Sequence, residues 1–216
     1  MGFPQGVGFM VTILSITPDR SRFCISFDDH HRIWLHKEDL AALHWTEGMV
    51  LSKEEVDSSV AVYQYPRAMN KAVAMLARRP CSKEEIRKKL LFTGYSENVT
   101  ELVLYKLEKE KLINDEEFCE LWVQSRRRKM YGPARIFQEL KMKGIDEQII
   151  RSALEQTELP EQEECLLQLA EKNLKSMKKD EDPRKIRQKV TAALVRKGYD
   201  WESASRACKS IMEKKK

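Results

Sequence analysis

Four consecutive cations, Arg126, Arg127, Arg128 and Lys129, form the densest charge cluster in the chain. Guanidinium and ammonium groups bind phosphate oxygens and carboxylates, so the chemistry on offer is recognition of a polyanion or of an acidic protein surface. The same residues also have a plainer use. In the last turns of a helix, cations complement the negative end of the dipole, worth ~0.3–1 kcal/mol each. Arg135 opens the next helical pattern, where a cation opposes the dipole. That placement points to an acidic partner, external or on a neighbouring helix. Three further patches are Lys83, Arg87, Lys88 and Lys89, then Lys141 and Lys143, then Arg184, Lys185, Arg187 and Lys189. Taken singly, each lysine reads as part of a solvated helix face. On superposable repeats the patches would make one stripe. Trp122 and Tyr131 have rings able to stack on bases, although the helical spacing of Trp122 from Phe118 and Cys119 favours the core.

Other chemistries find no support. A phosphate-binding G-x-x-x-x-G-K-[ST] loop and a G-x-S-x-G elbow are both missing, and Gly2, Gly6 and Gly8 do not fit the dinucleotide pattern. The expectation is a protein that is not an enzyme and needs no cofactor. His30, His31, His36 and His44 lie near Asp28 and Asp29, but their spacing matches no standard zinc site, so no metal is expected. The five cysteines are odd in number, widely spaced and without a C-x-x-C pair, which suits small apolar side chains in a reducing compartment. No stretch approaches the ~18 apolar residues of a membrane helix. No Lys or Arg precedes the first apolar run, Met10 to Leu14, so no secretory leader is expected. A cytoplasmic monomer is the expectation.

The elements that must position these cations divide the chain in two. Of its 216 residues, 34% are charged and 42% apolar, enough for a core and too much for full disorder. Residues 1–65 carry 5 Lys and Arg against 9 Asp and Glu; the rest carry 34 against 25. The acidic part leans toward strands. Phe23, Ile25 and Phe27 alternate with Arg22, Cys24 and Ser26, and Asp28-Asp29 offers a hairpin turn before Arg32 to Leu35. Lys37 to Leu43 suits a short helix, and Trp45 to Leu51 a returning strand. The basic part is helical throughout, with apolar residues at three- and four-residue spacing.

Helix caps disclose three repeats. Ser82, Gly132 and Asp182 are N-cap residues; Pro133 and Pro183 take the first helical position, and Ser82 has Glu85 for a capping box. Ile86, Ile136 and Ile186 each follow their cap by four residues, and Gly94, Gly144 and Gly198 close the helices. From cap to glycine the distances are 12, 12 and 16 residues, the last longer by about one helical turn. Asn114 with Glu117 resembles another capping box. The predicted fold is mainly α: three tandem three-helix repeats forming an elongated curved array, preceded by a small β-rich N-terminal domain. Its boundaries are 1–56 for the β-rich domain, 57–66 for a linker ending at Pro66, and 67–110, 111–158 and 159–216 for the repeats.

Leu112 to Ile145 resembles the RecX family, bacterial regulators of the RecA recombinase. Asp115, Phe118, Trp122, Val123, Arg126, Tyr131, Gly132, Pro133, Arg135, Ile136, Glu139, Leu140 and Gly144 carry the likeness. It extends to the first repeat and, more weakly, to the third, covering about 66–213; residues before it are similar to an extension on members from Gram-positive bacteria. The resemblance implies a non-enzymatic protein that docks in the groove of RecA filaments on single-stranded DNA, inhibiting recombination and the SOS response. The expected contacts to recombinase or DNA are Arg126, Arg127, Arg128, Lys129, Arg135, Arg87, Lys88, Lys141 and Lys143. Charge reversal at Arg126, Arg128 and Arg135 is expected to weaken inhibition without lowering the melting temperature. The alternative is a sequence-nonspecific protein binding single- or double-stranded DNA without the recombinase.

Overall fold

The computed structural model describes residues 9–156, 159–177 and 182–213, and the side chains of all these except 159–162. Residues 10–52 build a four-stranded antiparallel sheet from β1 (Met10–Asp19), β2 (Arg22–Phe27), β3 (Arg32–His36) and β4 (Val50–Ser52), in the order β3-β2-β1-β4. The period-2 pattern sets the register: Ile25 lies opposite Ile33, Phe23 opposite Leu35 and Val11 opposite Leu51. One face is thereby apolar, and Val11, Ile13, Ile25, Phe27, Ile33 and Leu35 are buried. Helix α1 (Lys37–Leu43) follows β3 directly. Only Val50–Ser52 of the expected fourth strand pairs, because Gly48 takes a left-handed φ of 83° in the turn that precedes it.

The expected linker does not exist as one. Residues 57–66 lie inside α2 (Lys53–Leu76), a single helix that starts at a Ser52–Glu55 capping box. Val56, Val60, Gln64, Ala68 and Ala72 are buried at four-residue spacing, a continuous inward stripe. Pro66 is on the exposed side, where the carbonyl it leaves without an N–H partner can meet water. The β-rich domain therefore does not end at Val56. Its helix runs on into the first repeat, which it completes with α3 (Lys83–Thr93) and α4 (Glu97–Lys109). Sheet and repeat share one core, from Val11 through Ile86, Leu90, Val103 and Leu107 to Ile113.

Two buried polar groups tie that unit together. Gln64 donates from Nε2 to the Trp34 carbonyl at 2.9 Å and accepts from the Ser96 backbone N–H at 2.8 Å. Asp39, also buried, receives Arg67 through Nε at 3.2 Å and Nη2 at 3.0 Å.

Residues 1–113 form one compact unit and residues 114–216 another. The second holds α5 (Asp115–Arg127), α6 (Pro133–Met142) and α7 (Glu147–Glu155), then α8 (Leu159–Lys175), α9 (Pro183–Arg196) and α10 (Trp201–Glu213). Each middle helix begins and ends as its caps require. Ser82 accepts from the Glu85 N–H in a full capping box, Asp182 accepts from the Arg184 N–H, and Gly94, Gly144 and Gly198 have φ of 93°, 76° and 98°. Asn114 caps α5 through the Glu116 and Glu117 N–H groups, the side-chain half of a capping box.

The second and third repeats meet at two glycines. The Gly132 N–H donates to the Lys197 carbonyl at 2.8 Å, and the Ala134 N–H to the Gly198 carbonyl at 3.1 Å. The unsatisfied donors at the start of α6 are thus answered by the carbonyls that end α9. A side-chain Cβ at Gly132 would lie 2.4 Å from the Gly198 carbonyl carbon, which only glycine permits.

Candidate functional site

The four-cation cluster ends α5, and the turn after it leads to Gly132. Its members part company. Arg126 is largely enclosed, with 19% of its side chain exposed, and its Nε donates to Glu139 on α6 at 2.5 Å. Its guanidinium lies over the Trp122 ring at 4.0 Å. Arg127 donates to the Leu154 carbonyl at 3.1 Å, covering a C-terminal carbonyl of α7. Arg128 and Lys129 are exposed, and among the described residues neither has an ion-pair partner.

Arg135 has an acidic partner in its own helix rather than on another element. Its Nε donates to Glu139 one turn on at 3.1 Å, and its guanidinium covers the Tyr131 ring at 4.0 Å. Trp122 adds a third donor to the same carboxylate through Nε1 at 3.2 Å. Burial alone would raise the Glu139 carboxyl, but the bonds from Arg126 and Arg135 outweigh it and hold the group below its ordinary range. Glu139 is the hub, and its sequence signal is an acid one turn after Arg135 on the helix facing Arg126. Charge reversal at Arg126 therefore cannot be neutral to stability, contrary to expectation, because it would set two carboxylates against each other.

The other predicted cations are mostly answered within their repeats. Arg87 makes a two-pronged contact with Glu101, 2.8 Å from both Nε and Nη2, and reaches Glu84 at 3.1 Å. Lys88 reaches the same Glu84 at 3.4 Å. Lys141 pairs with Glu147. Lys143 rests its ammonium 4.1 Å from the centre of the Trp122 ring. Trp122 itself packs on Phe118 at 5.8 Å against the second repeat's core, so its ring is sandwiched and not offered for stacking. On α9, Arg184, Lys185, Arg187 and Lys189 are all exposed.

Among the described residues no group of three or more His, Cys, Asp or Glu is placed to hold a metal. Burial pushes the Cys119 thiol up to about 11 and raises that of Cys208, which keeps both protonated at neutral pH. No helix among the described residues is long and apolar enough to cross a membrane.

Three family models fall on the three repeats. The first, second and third three-helix domains of RecX match residues 68–107, 114–154 and 161–208. The chain belongs to the RecX family. The regulatory protein RecX of Listeria welshimeri is 29% identical over 203 residues, 91% of this chain and 74% of that protein. That of Amycolatopsis mediterranei is 33% identical over 138 residues, 63% of this chain and 78% of that protein. A crystal structure described as regulatory protein RecX matches with a TM-score of 0.63 at 25% identity, over 93% of this chain and 99% of that one. RecX is a family of regulatory proteins. The RecX-like residues of the second repeat, Trp122, Arg126, Tyr131, Arg135 and Glu139, form one internal network in this structure. Here they hold α5 against α6.

Proposed function

We propose that this protein binds RecA filaments on single-stranded DNA and inhibits recombinase activity, damping recombination and the SOS response. The observation that carries the reading is the complete set of three RecX three-helix domains in one chain. Inhibition by docking needs no catalytic group, and the helical repeats supply length and surface instead. In the second repeat the contact residues are Arg128 and Lys129, which are exposed and free of ion pairs among the described residues. Arg126 and Arg135 support the scaffold from within.

The test is strand-dependent ATP hydrolysis by RecA, titrated with this protein at near-physiological salt. Loss of hydrolysis well below one protein per RecA monomer is expected, since a filament regulator acts on the polymer. Loss only once the protein saturates the strand would instead mean competition for DNA. Replacing Arg128 and Lys129 together by Glu is expected to raise the half-inhibitory concentration at least several-fold with an unchanged melting curve. Unchanged inhibition would remove these two residues from the contact.

A further inference from the structure

The three repeats invite comparison position by position from their closing glycines. Three residues after the glycine stand Glu97, Glu147 and Trp201; seven residues after it stand Glu101, Arg151 and Ser205. In the first repeat Glu101 neutralises Arg87 across α3 and α4. In the second, Glu147 pairs with Lys141 across α6 and α7, and Arg151 lies 5.4 Å from the Phe137 ring centre. The same face of the third repeat has lost both acids. Trp201 and Ser205 occupy their places, and the cations remain.

The result is an open groove of about 820 Å³ between α9 and α10, lined by Arg184, Lys185, Arg187 and Arg196 around Trp201. No carboxylate lines it among the described residues. Trp201 is 69% exposed at the first turn of α10, and the neighbouring Val195 is 40% exposed. Arg187 is steadied by the Ser205 hydroxyl at 3.1 Å, which keeps its charge without cancelling it. An indole open to solvent serves neither core nor cap here. Ringed by guanidinium groups, it offers one stacking platform and several phosphate ligands within a single groove.

We infer that the groove between α9 and α10 is a binding site for single-stranded nucleic acid, with one base stacked on Trp201 and the adjoining phosphates held by Arg184, Arg187 and Arg196. A duplex fits less well, because its bases are already stacked and cannot reach the indole. An acidic polypeptide satisfies the cations but leaves the ring unused. The inference goes beyond the regulatory reading, since it assigns the free protein a direct contact with the strand.

The test is anisotropy of a fluorescein-labelled oligodeoxythymidylate titrated with the full chain, without recombinase. Trp201→Ala is expected to weaken binding by roughly ten-fold, while Trp201→Phe keeps most of the affinity. Replacing Arg184 and Arg196 together by Gln should lower the slope of log affinity against log salt by about two. Wild-type affinity in Trp201→Ala would overturn the site. So would equal affinity for a duplex of the same length, or displacement by polyglutamate that leaves Trp201→Ala indistinguishable from wild type. Running the same variants through RecA-dependent ATP hydrolysis keeps the two readings apart. Lost strand binding with intact inhibition would support the site and separate it from the filament contact. Intact strand binding with lost inhibition would overturn the site and leave the regulatory reading standing.

Discussion

At Glu139 a single carboxylate receives two guanidinium groups and an indole N–H, with only 18% of its side chain exposed. Its replacement by Gln leaves Arg126 enclosed without a counter-charge. The expected cost at neutral pH is about 1–3 kcal/mol, read from urea denaturation. The pH dependence follows from the sign of the shift. A carboxyl held below its ordinary value of 4.5 contributes stability that is fully present above about pH 4.5 and is lost as pH falls through the folded value. The stability gap between wild type and Glu139→Gln should therefore close on acidification; a gap constant down to pH 3 would contradict the ion-pair account. The cations themselves are plain in the sequence. Their commitments are not, because a guanidinium that grips an internal acid and one that awaits a phosphate are the same residue until the neighbouring helix is placed.

Between elements, the join of the second and third repeats depends on two backbones in close approach. At Gly132 an added Cβ meets the Gly198 carbonyl carbon at 2.4 Å, and at Gly198 it meets the Arg135 Cβ at 2.4 Å. Neither obstacle is a flexible side-chain end, so Gly132→Ala and Gly198→Ala are each expected to cost about 2 kcal/mol or more by overpacking. Gly48→Ala is the control: it shares a left-handed φ, 83°, but a Cβ there meets nothing within 4 Å. Backbone strain alone should cost it about 1 kcal/mol. Thermal melting of the three variants checks the order, and equal losses would mean that the glycines matter only for turn geometry. Cap chemistry made Gly132 and Gly198 legible as helix punctuation. Their pairing across repeats had no sequence signal, since Gly132 N–H to Lys197 carbonyl spans two helices.

For the whole molecule, the boundary after Ile113 places the sheet and the first repeat in one unit. A fragment of residues 114–216 is expected to melt cooperatively on its own. A fragment of residues 67–113 is expected to remain unfolded, because it lacks the sheet and half of α2, with Val56 and Val60 of the shared core. Cooperative folding of that shorter fragment would show the sheet to be an appendage. Gln64→Leu tests the join from inside: the Trp34 carbonyl and the Ser96 N–H both lose their partner, at a cost of roughly 2–4 kcal/mol. The linker expected at 57–66 failed for a readable reason. Ser58, Ser59, Gln64 and Pro66 give the stretch the composition of a loop, while the stripe Val56, Val60, Gln64, Ala68, Ala72 includes a buried glutamine that hydropathy counts as exposed.

By itself the sequence determined the three helical repeats, their caps and closing glycines, and the alternation that makes the N-terminal strands. These rest on local rules: a cap needs its N–H acceptor three residues away, and a strand needs its period of two. The likeness of the second repeat to RecX was equally legible, because it resides in a contiguous run of residues. Only the tertiary structure decided which cations are spent, on Glu139, Glu101 and Glu147, and which remain available at Arg128, Lys129 and around Trp201. Charge availability is a property of pairs, and the partners of these cations come from other turns and other helices that spacing along the chain does not bring together.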